Sequence, residues 1–330
     1  MIRGPMTIFA VIVSRLSKAV LTLLAIAILN FFLIHAAPGD PAVVLAGEAG
    51  AADEQMIEQL RDRFGLDQPL YVQLGKYVAG IVQLDLGYSF RQGAPVVDLI
   101  ADRLPATLLL TLTAFVVSLV MGIIFGVSAA ARVGKPSDSI LTTLALLFYA
   151  TPLYWLALMA VLLFSVWLGW LPGFGYETVG ENYTGFTRIF DILSHLVLPA
   201  LTLGLFFTAV YMRMARASML EVSQLDFVKT AKAKGLSDAV IRRRHILRNA
   251  ILPVVTLAGL QAGQLVGGAV LTETVFAWPG IGRLMFESLA ARDYNTILGV
   301  FLVSAAMVIL FNIVTDIVYR IVDPRIGARS

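Results

Sequence analysis

The sequence predicts an all-α membrane protein with six transmembrane helices. Hydrophobic residues make up 58% of the chain and charged residues only 14%, against about 45–50% and about 25% in soluble domains. Six stretches contain no Asp, Glu, Lys or Arg and are long enough to cross a hydrocarbon core, which needs about 20 helical residues. These stretches are 19–37, 105–131, 139–176, 192–212, 249–272 and 294–315.

Two of these stretches need separate interpretation. The first predicts a retained membrane anchor, because its apolar part is longer than that of a secretory signal and Pro38 makes a poor cleavage site. The third is too long for a single span. Pro172 and Gly173 predict that its helix ends near Leu171 and that an uncharged loop follows.

The basic residues predict that both chain ends lie in the cytoplasm, since Lys and Arg near span ends are retained on that side. If successive segments alternate sides, the two ends and the second and fourth loops carry 17 of the 25 Lys and Arg residues. The first loop has ten acidic residues and five basic ones, which agrees with an outside location. Absence of cysteine excludes disulfides and thiolate metal sites.

Four segments follow from this topology. Residues 1–37 form the cytoplasmic N-terminus and first span, 38–104 an external loop, 105–322 a five-helix membrane core, and 323–330 a cytoplasmic tail. The external loop predicts two short amphipathic helices, because apolar residues recur there at helical spacing. The first helix contains Met56, Ile57, Leu60 and Phe64; the second contains Leu70, Leu74, Tyr77, Val78 and Ile81.

The fifth span predicts close helix contact. Gly259, Gly263 and Gly267 recur every four residues, and small residues on one face let two helix backbones approach. Gln261 and Gln264 lie near this stripe, and an amide in hydrocarbon is costly unless it finds a partner or water. The fifth span is therefore expected beside a pathway or a subunit interface, with packing inside the bundle as the alternative. In the second span, Gly122 and Gly126 favour internal packing.

A basic segment, residues 213–248, separates the fourth and fifth stretches and carries nine Lys and Arg. Apolar residues at helical spacing predict a helix from Glu221 to Lys234. Gly235 is expected to end this helix in the left-handed conformation, followed by the apolar Leu236. The apolar residues that carry the prediction are Val222, Leu225, Val228 and Ala231.

A second helix is expected to follow the glycine. Ser237 can cap it, and Asp238 in its first turn complements the helix dipole. The helix would lead through three arginines and His245 towards Pro253 and the fifth span. A short helix, a sharp corner and a second helix on the cytoplasmic face are suited to docking, with binding of anionic lipid headgroups as the alternative.

The stretch DFVKTAKAKGLSDAVIRRRHILRNAILPVVT resembles the cytoplasmic coupling loop of binding-protein-dependent ABC importers, in the version carried by dipeptide and oligopeptide permeases. Further strings resemble that subfamily in the same order along the chain: PGDPA, GLDQPLYVQ, DLGYSF, RLPATLLLTL, TETVFAWPGIGRL and VDPRI. The resemblance implies a type I ABC importer permease fold and a subunit that forms half of a translocation pathway, with peptides as cargo.

The resemblance also implies the site residues. One group would seat the loop in a groove of the ATPase subunit, and a second would join the loop to the fifth span. The first group is Asp226, Lys229, Thr230, Ala231, Gly235 and Leu236; the second is His245, Arg248, Asn249 and Pro253. The general importer motif begins Glu-Ala-Ala six residues before the glycine, whereas this chain has Lys229, Thr230 and Ala231, with its acidic residue displaced to Asp226.

The stretch ETVFAWPGIGRLMF suggests an outer gate, with Trp278, Pro279 and Gly280 making a turn at the interface. The alternative is that the Trp is a headgroup anchor.

Catalytic function is not expected. The chain has no G-x-x-x-x-G-K-[ST] phosphate loop, no H-E-x-x-H motif and three dispersed histidines. Its charged candidates for ion coupling, Glu273 and Asp316, lie near span ends, so energy is expected to arrive from outside. No cofactor or metal is expected in this chain.

The resemblance implies several partners. These are a second homologous permease, two ABC ATPase subunits that hold ATP and Mg²⁺, an extracytoplasmic substrate-binding protein and the lipid of a bacterial inner membrane, with no nucleic acid. Two alternatives stay open at this stage. The cargo could be a nickel chelate, glutathione, an opine or haem, or the chain could be a non-transporting scaffold with a lipid-binding basic loop.

Overall fold

A computed structural model of the chain describes residues 5–36 and 68–322, together with positions 43, 54, 57, 58 and 61. Helices account for most of these residues. The helices are α1 (Pro5–Ala36), α2 (Leu70–Val82), α3 (Val96–Ala130), α4 (Pro136–Ala150), α5 (Leu153–Ala160), α6 (Gly185–Ser223), α7 (Asp226–Ala233), α8 (Asp238–Val240), α9 (Leu247–Val275), α10 (Ile281–Ala291) and α11 (Tyr294–Val322).

Two π-helical segments interrupt the α-helical geometry. Val161–Trp167 continues α5, and Ile241–Ile246 joins α8 to α9. An antiparallel hairpin pairs β1 (Tyr88–Ser89) with β2 (Ala94–Pro95). The predicted second amphipathic helix of the external loop is confirmed as α2. The first, around Met56 to Phe64, lies outside the described residues.

The described residues confirm the membrane character of the chain. Four helical stretches are long and apolar enough to cross a membrane: Leu16–Leu33 in α1, Val96–Ala130, Gly185–Ser223 and Tyr294–Thr315 in α11. A fifth arises if α4 and Leu153–Trp167, which are bent by 105°, count as one span. The stretch 249–272 lies within α9 but is not among these candidates. The count of six spans and the cytoplasmic location of both ends therefore stay predictions.

The bend after α4 corrects the prediction of one helix continuing to Leu171. Thr151 has extended backbone angles (φ −82°, ψ 134°), because the ring of the following Pro152 disfavours helical conformation at the preceding residue. After the bend, helical structure ends at Trp167, and Gly169 has a φ of +61°. The prediction was wrong because it gave weight to Pro172 and none to Pro152.

The chain folds into two compact units, Met1–Pro105 with Gly280–Ile309, and Ala106–Pro279 with Leu310–Ser330. In the first unit, a buried carboxylate fixes the hairpin to the start of α11. The Ser89 hydroxyl donates to Asp293 Oδ2 at 2.5 Å, and Asp293 also accepts from the Thr296 hydroxyl at 2.6 Å. Since Asp293 precedes α11 and accepts from the Thr296 amide, it also caps that helix.

In the second unit, glycines bring α3 and α6 into backbone contact. A Cβ built on Gly122 would lie 2.5 Å from the Cβ of Tyr211, and one on Gly126 would lie 2.7 Å from the carbonyl oxygen of Met212. From the other side, a Cβ on Gly204 would lie 3.2 Å from the Ala114 carbonyl oxygen. Such contact supplies the packing energy that lipid does not. Internal packing of the second predicted span is confirmed.

We expect Gly122→Ala to destabilise the chain by about 1–3 kcal/mol, because Tyr211 and the α6 backbone must move to admit the methyl group. Gly267→Ala is the matched control, since no atom lies within 4 Å of the Cβ position at Gly267. The midpoint of thermal unfolding of the detergent-purified chain measures both effects. Equal midpoints for the two variants would contradict close contact of α3 and α6.

Candidate functional site

The basic corner, residues 224–248, begins where α6 ends. Residue Leu225 is extended (φ −71°, ψ 150°), and α7 starts at Asp226. The amides of Gln224 and Leu225 bond to carbonyls three residues earlier, at 3.1 and 3.2 Å, which tightens the last turn of α6. The prediction of one helix over 221–234 is therefore wrong. Because of the break, Val228 and Ala231 of α7 face the bundle, where they pack in an apolar cluster with Met219 of α6.

Gly235 ends α7 as predicted. Its φ is +76°, a value that side chains with a Cβ rarely adopt. The Gly235 amide bonds to the Lys232 carbonyl at 2.9 Å and the Leu236 amide to the Ala231 carbonyl at 3.4 Å, the pair of bonds that defines a Schellman motif. No atom lies within 4 Å of a Cβ built on Gly235. Backbone conformation alone therefore requires glycine here.

The second helix of the corner begins at Asp238, as predicted, but lacks the predicted side-chain cap. Ser237 occupies the N-cap position with an extended backbone (φ −67°, ψ 148°), although its side chain makes no capping bond. Asp238 lies in the first turn, and the helical structure runs through the π segment into α9 without a break. The corner is thus a direct extension of the fifth predicted span.

The π segment sets which side chains face the bundle. Ile241 and Ile246 are five residues apart and both buried, and Ala250 and Val254 continue the buried face at intervals of four. A π turn accommodates the five-residue step, since each of its bonds spans one residue more than an α-helical bond. Arg243 and Arg244 are consequently exposed. This π segment was not predicted from the sequence.

The basic corner has one apolar face and one polar face. Its apolar residues pack with the ends of α3 and α6 in one cluster: Met219, Val228, Ala231, Ile241, Ile246 and Ala250, with Val127, Ala130, Val222 and Leu247 at its edge. Ala231, only 5% exposed, belongs to this face. It therefore seats the corner on the bundle and does not point outwards.

The outward face brings together most residues that the resemblance implies for ATPase contact. Asp226, Lys229, Thr230, Gly235 and Leu236 are all exposed. Asp226 accepts from Lys229 Nζ at 2.8 Å, and the Thr230 hydroxyl donates to the Asp226 carbonyl at 3.0 Å. Because Asp226 and Lys229 are 93% and 72% exposed, their ion pair is solvated and contributes little to stability.

The four residues implied for the connection lie along the next helical turns. His245 is half-buried, and its carbonyl accepts from Asn249 Nδ2 at 2.8 Å. Arg248 and Asn249 are exposed, and Pro253 is an exposed residue inside α9. These residues therefore line the path from the corner into the span.

An ion pair beside the corner was not predicted from the sequence. Arg216 of α6 donates to both carboxylate oxygens of Asp138 in α4, at 2.8 and 2.7 Å. The Asp138 side chain is 7% exposed, and two-point pairing of this kind fixes orientation as well as distance. One turn earlier, the guanidinium of Arg213 lies 5.4 Å from the ring centre of Tyr149. The two arginines tie α6 to α4.

The glycine stripe of α9 divides between two environments. A Cβ on Gly259 would collide with Thr315 of α11, and one on Gly268 would lie 3.0 Å from Leu203 of α6. Gly267 and Gln264 are instead exposed, and Gly263 is half-buried. The Gln261 Oε1 atom is buried and has no hydrogen-bond partner within the part of the chain that the structure describes.

The outer turn after α9 is anchored in the bundle. Trp278 is 0% exposed, and its indole N–H donates to the Ala106 carbonyl at 2.9 Å. The Tyr176 ring packs edge-on against it with centroids 4.8 Å apart. Interpretation of Trp278 as a headgroup anchor is therefore wrong. Pro279 follows it, and Gly280 is the N-cap residue of α10.

Metal binding has no support in the described ranges, 5–36 and 68–322, where no group of three or more His, Asp or Glu side chains could hold an ion. Two histidines bond within their own helices: His35 Nδ1 lies 2.8 Å from the Phe31 carbonyl oxygen and His195 Nδ1 2.9 Å from that of Asp191.

Comparison with protein families gives two matches that together cover nearly the whole chain. Residues 122–328 match the binding-protein-dependent transport system inner membrane component, and residues 8–111 match the N-terminal part of the membrane component of such systems.

Individual relatives agree. The chain is 40% identical over 317 residues to a putative peptide transport system permease protein of Brucella abortus (strain 2308), covering 96% of this chain and 98% of that one. It is 42% identical over 331 residues to the di/tripeptide transport system permease protein DppB of Pseudomonas aeruginosa (strain UCBPP-PA14), with the same two coverages, 96% and 98%.

A solved structure shares the fold. Inward-facing conformations of the MetNI methionine ABC transporter match with a TM-score of 0.55 at 17% identity, over 68% of this chain and 96% of that one. This chain therefore belongs to the family of inner membrane components of binding-protein-dependent transport systems: it is a multi-pass permease of a bacterial ABC importer with the type I permease fold, and not a catalytic subunit.

Proposed function

We propose that this chain is one permease subunit of an ATP-driven importer of dipeptides or oligopeptides and forms half of its translocation pathway. The observation that carries the proposal is the two-faced basic corner, with its apolar side seated on the bundle and its polar side exposed. Peptide cargo is supported by the relatives, which are peptide permeases by name.

The proposed complex divides the work among several chains. Two ABC ATPase subunits bind ATP and Mg²⁺ and grip the exposed face of α7 at the cytoplasmic side. A second, homologous permease completes the pathway, and an extracytoplasmic binding protein delivers the peptide to the outer loops. This chain itself holds no cofactor and contacts membrane lipid around its spans.

Motion enters through the basic corner in this proposal. ATP-driven closure of the ATPases displaces α7, and the continuous helical structure from Asp238 to α9 carries the displacement into the membrane. ATP and peptide must each favour one of two arrangements of the spans, because a ligand with equal affinity for both shifts nothing. Hydrolysis then returns the complex to its inward-open arrangement.

The pathway or the contact with the second permease lies along one face of α9. Gln264, Gly267 and Leu271 are exposed and recur at three- and four-residue steps, so that they share a face. Small and amide side chains suit either role, because they admit close approach and can bond to a passing peptide backbone. This face is distinct from the one on which Gly268 packs against α6.

Replacing Gly235 tests coupling directly. Val disfavours the left-handed conformation by about 1–2 kcal/mol or more, whereas Asn tolerates it. We expect Gly235→Val to insert normally but to transport several-fold less peptide per ATP hydrolysed, with Gly235→Asn close to the parent. The ratio of peptide transported to ATP hydrolysed is measured in proteoliposomes that contain both ATPases, both permeases and the binding protein. Unchanged coupling in the Val variant would refute the role of the corner.

Substitutions at two adjacent residues on opposite faces of α7 distinguish packing of the corner on the bundle from its docking to the ATPase. Ala231→Glu places an unpaired charge in the apolar cluster, at a cost on the order of several kcal/mol, and is expected to lift α7 from the bundle. Trypsin should then cleave faster at the exposed Lys229, Lys232 and Lys234.

Thr230→Glu is the matched control, since Thr230 is exposed. We expect it to leave the rate of tryptic cleavage unchanged while reducing copurification of the ATPase subunits. If Thr230→Glu retains the ATPases in full, the exposed face of α7 is not the docking face.

A further inference from the structure

A carboxylate at the far end of α9 has no part in the function proposed above. Glu273 is 0% exposed and lies in the last turn of α9. Its Oε1 atom accepts a hydrogen bond of 2.7 Å from the hydroxyl of Thr107, which lies inside α3, a helix that begins at Val96. Thr107 is itself 1% exposed. A buried contact therefore joins the end of α9 to the body of α3, between residues that are 166 apart in sequence.

A second buried contact joins the same two places. The indole N–H of Trp278 donates to the carbonyl of Ala106, and its backbone N–H donates to the carbonyl of Glu273, each at 2.9 Å. Ala106, Thr107, Glu273 and Trp278 thus form one connected set, which we call the outer pin. Two side-chain bonds to neighbouring residues of α3 resist rotation of α9 about its own axis as well as its separation from α3.

Packing alone does not require a carboxylate at this position. Burying an ionisable group is costly unless its bonds are satisfied, and apolar residues of similar volume often hold helices together at least as well as buried polar pairs do. A hydrogen-bonded contact differs from an apolar one in fixing direction. The outer pin therefore fixes the orientation of the end of α9.

The two ends of α9 are held differently. At 1.5 Å per residue its 29 residues span about 44 Å. Its inner end continues into the basic corner, where a polar face is exposed, whereas its outer end is fixed to α3 beside the buried apolar cluster of the same unit. A helix held at one end and displaced at the other rotates about the held end.

We propose that Glu273, with Thr107, is a positioning residue that makes the outer pin the pivot of α9, so that displacement of the basic corner becomes tilt of the span. The inference rests on the proposed function for its consequence in transport, but the pin itself can be tested without transport. Loosening the pivot lets α9 slide, and ATP hydrolysis then proceeds with less movement of peptide.

The coupling ratio tests the consequence. Thr107→Val keeps the shape of the side chain and removes the hydroxyl, leaving the buried Glu273 oxygen without that donor. We expect peptide transported per ATP hydrolysed to fall by about fivefold or more, with normal membrane insertion and ATPase activity at least equal to the parent. Thr107→Ser restores the hydroxyl and should recover the ratio.

Thr111→Val is the matched control for this experiment. Thr111 is equally buried one turn further along α3, but its hydroxyl bonds to the Thr107 carbonyl of its own helix at 2.7 Å. We expect its coupling ratio to match the parent. A parental ratio in Thr107→Val, or an equal loss in Thr111→Val, would overturn the pivot.

Fluorescence of Trp278 tests the pin independently of function. The full chain carries four Trp residues, and replacing Trp155, Trp167 and Trp170 by Phe leaves the buried indole alone. In detergent-purified chain of unchanged helicity, we expect Thr107→Val to shift the emission to the red and to increase quenching by acrylamide, and Thr111→Val to do neither.

The two experiments separate the possible failures. If Thr107→Val alters the fluorescence but the parent complex shows no ATP-dependent peptide uptake, the pin stands and the proposed function is overturned. Unaltered fluorescence with parental coupling would overturn the pin alone.

Discussion

Close contact between α3 and α6 supports the whole second unit. Lipid is as apolar as the side chains that face it, so helices in a membrane are held by packing and by a few buried hydrogen bonds. Gly122 and Gly126 on one helix and Gly204 on the other let these backbones meet. The apolar cluster of the corner contains residues from the ends of both helices, Val127 and Met219 among them. The seat of the corner therefore depends on the spacing that these glycines set.

Two side-chain contacts in this unit join separate helices close to the end of at least one of them. The pair formed by Arg216 and Asp138 ties α6 to α4 near the basic corner, and Glu273 with Thr107 ties α9 to α3 at the opposite end. Between these ends, apolar and small residues dominate the contacts. Such an arrangement fixes one end of a span and leaves the rest of it to shift along its neighbours.

Features with a local cause could be predicted from the sequence. The left-handed Gly235 and the amphipathic α2 follow from spacing and residue type alone. Pro152 also acts locally, so the bend that it causes could have been predicted in the same way. The break at Leu225 and the π segment could not be predicted, because burial against α3 and α6 decides them. Burial of Trp278 could not be predicted either, since its partner Ala106 lies 172 residues away in sequence.

The π segment makes the orientation of the corner sensitive to the length of the chain. A residue gained or lost within 241–246 would turn everything before it by about 100° around the helix axis, since successive residues of an α-helix differ by that angle. Both flanking helices would survive the change, because the hydrogen-bonding pattern adjusts within a single turn. An insertion or deletion of one residue would therefore turn Val228 and Ala231 away from the apolar cluster in which they are seated.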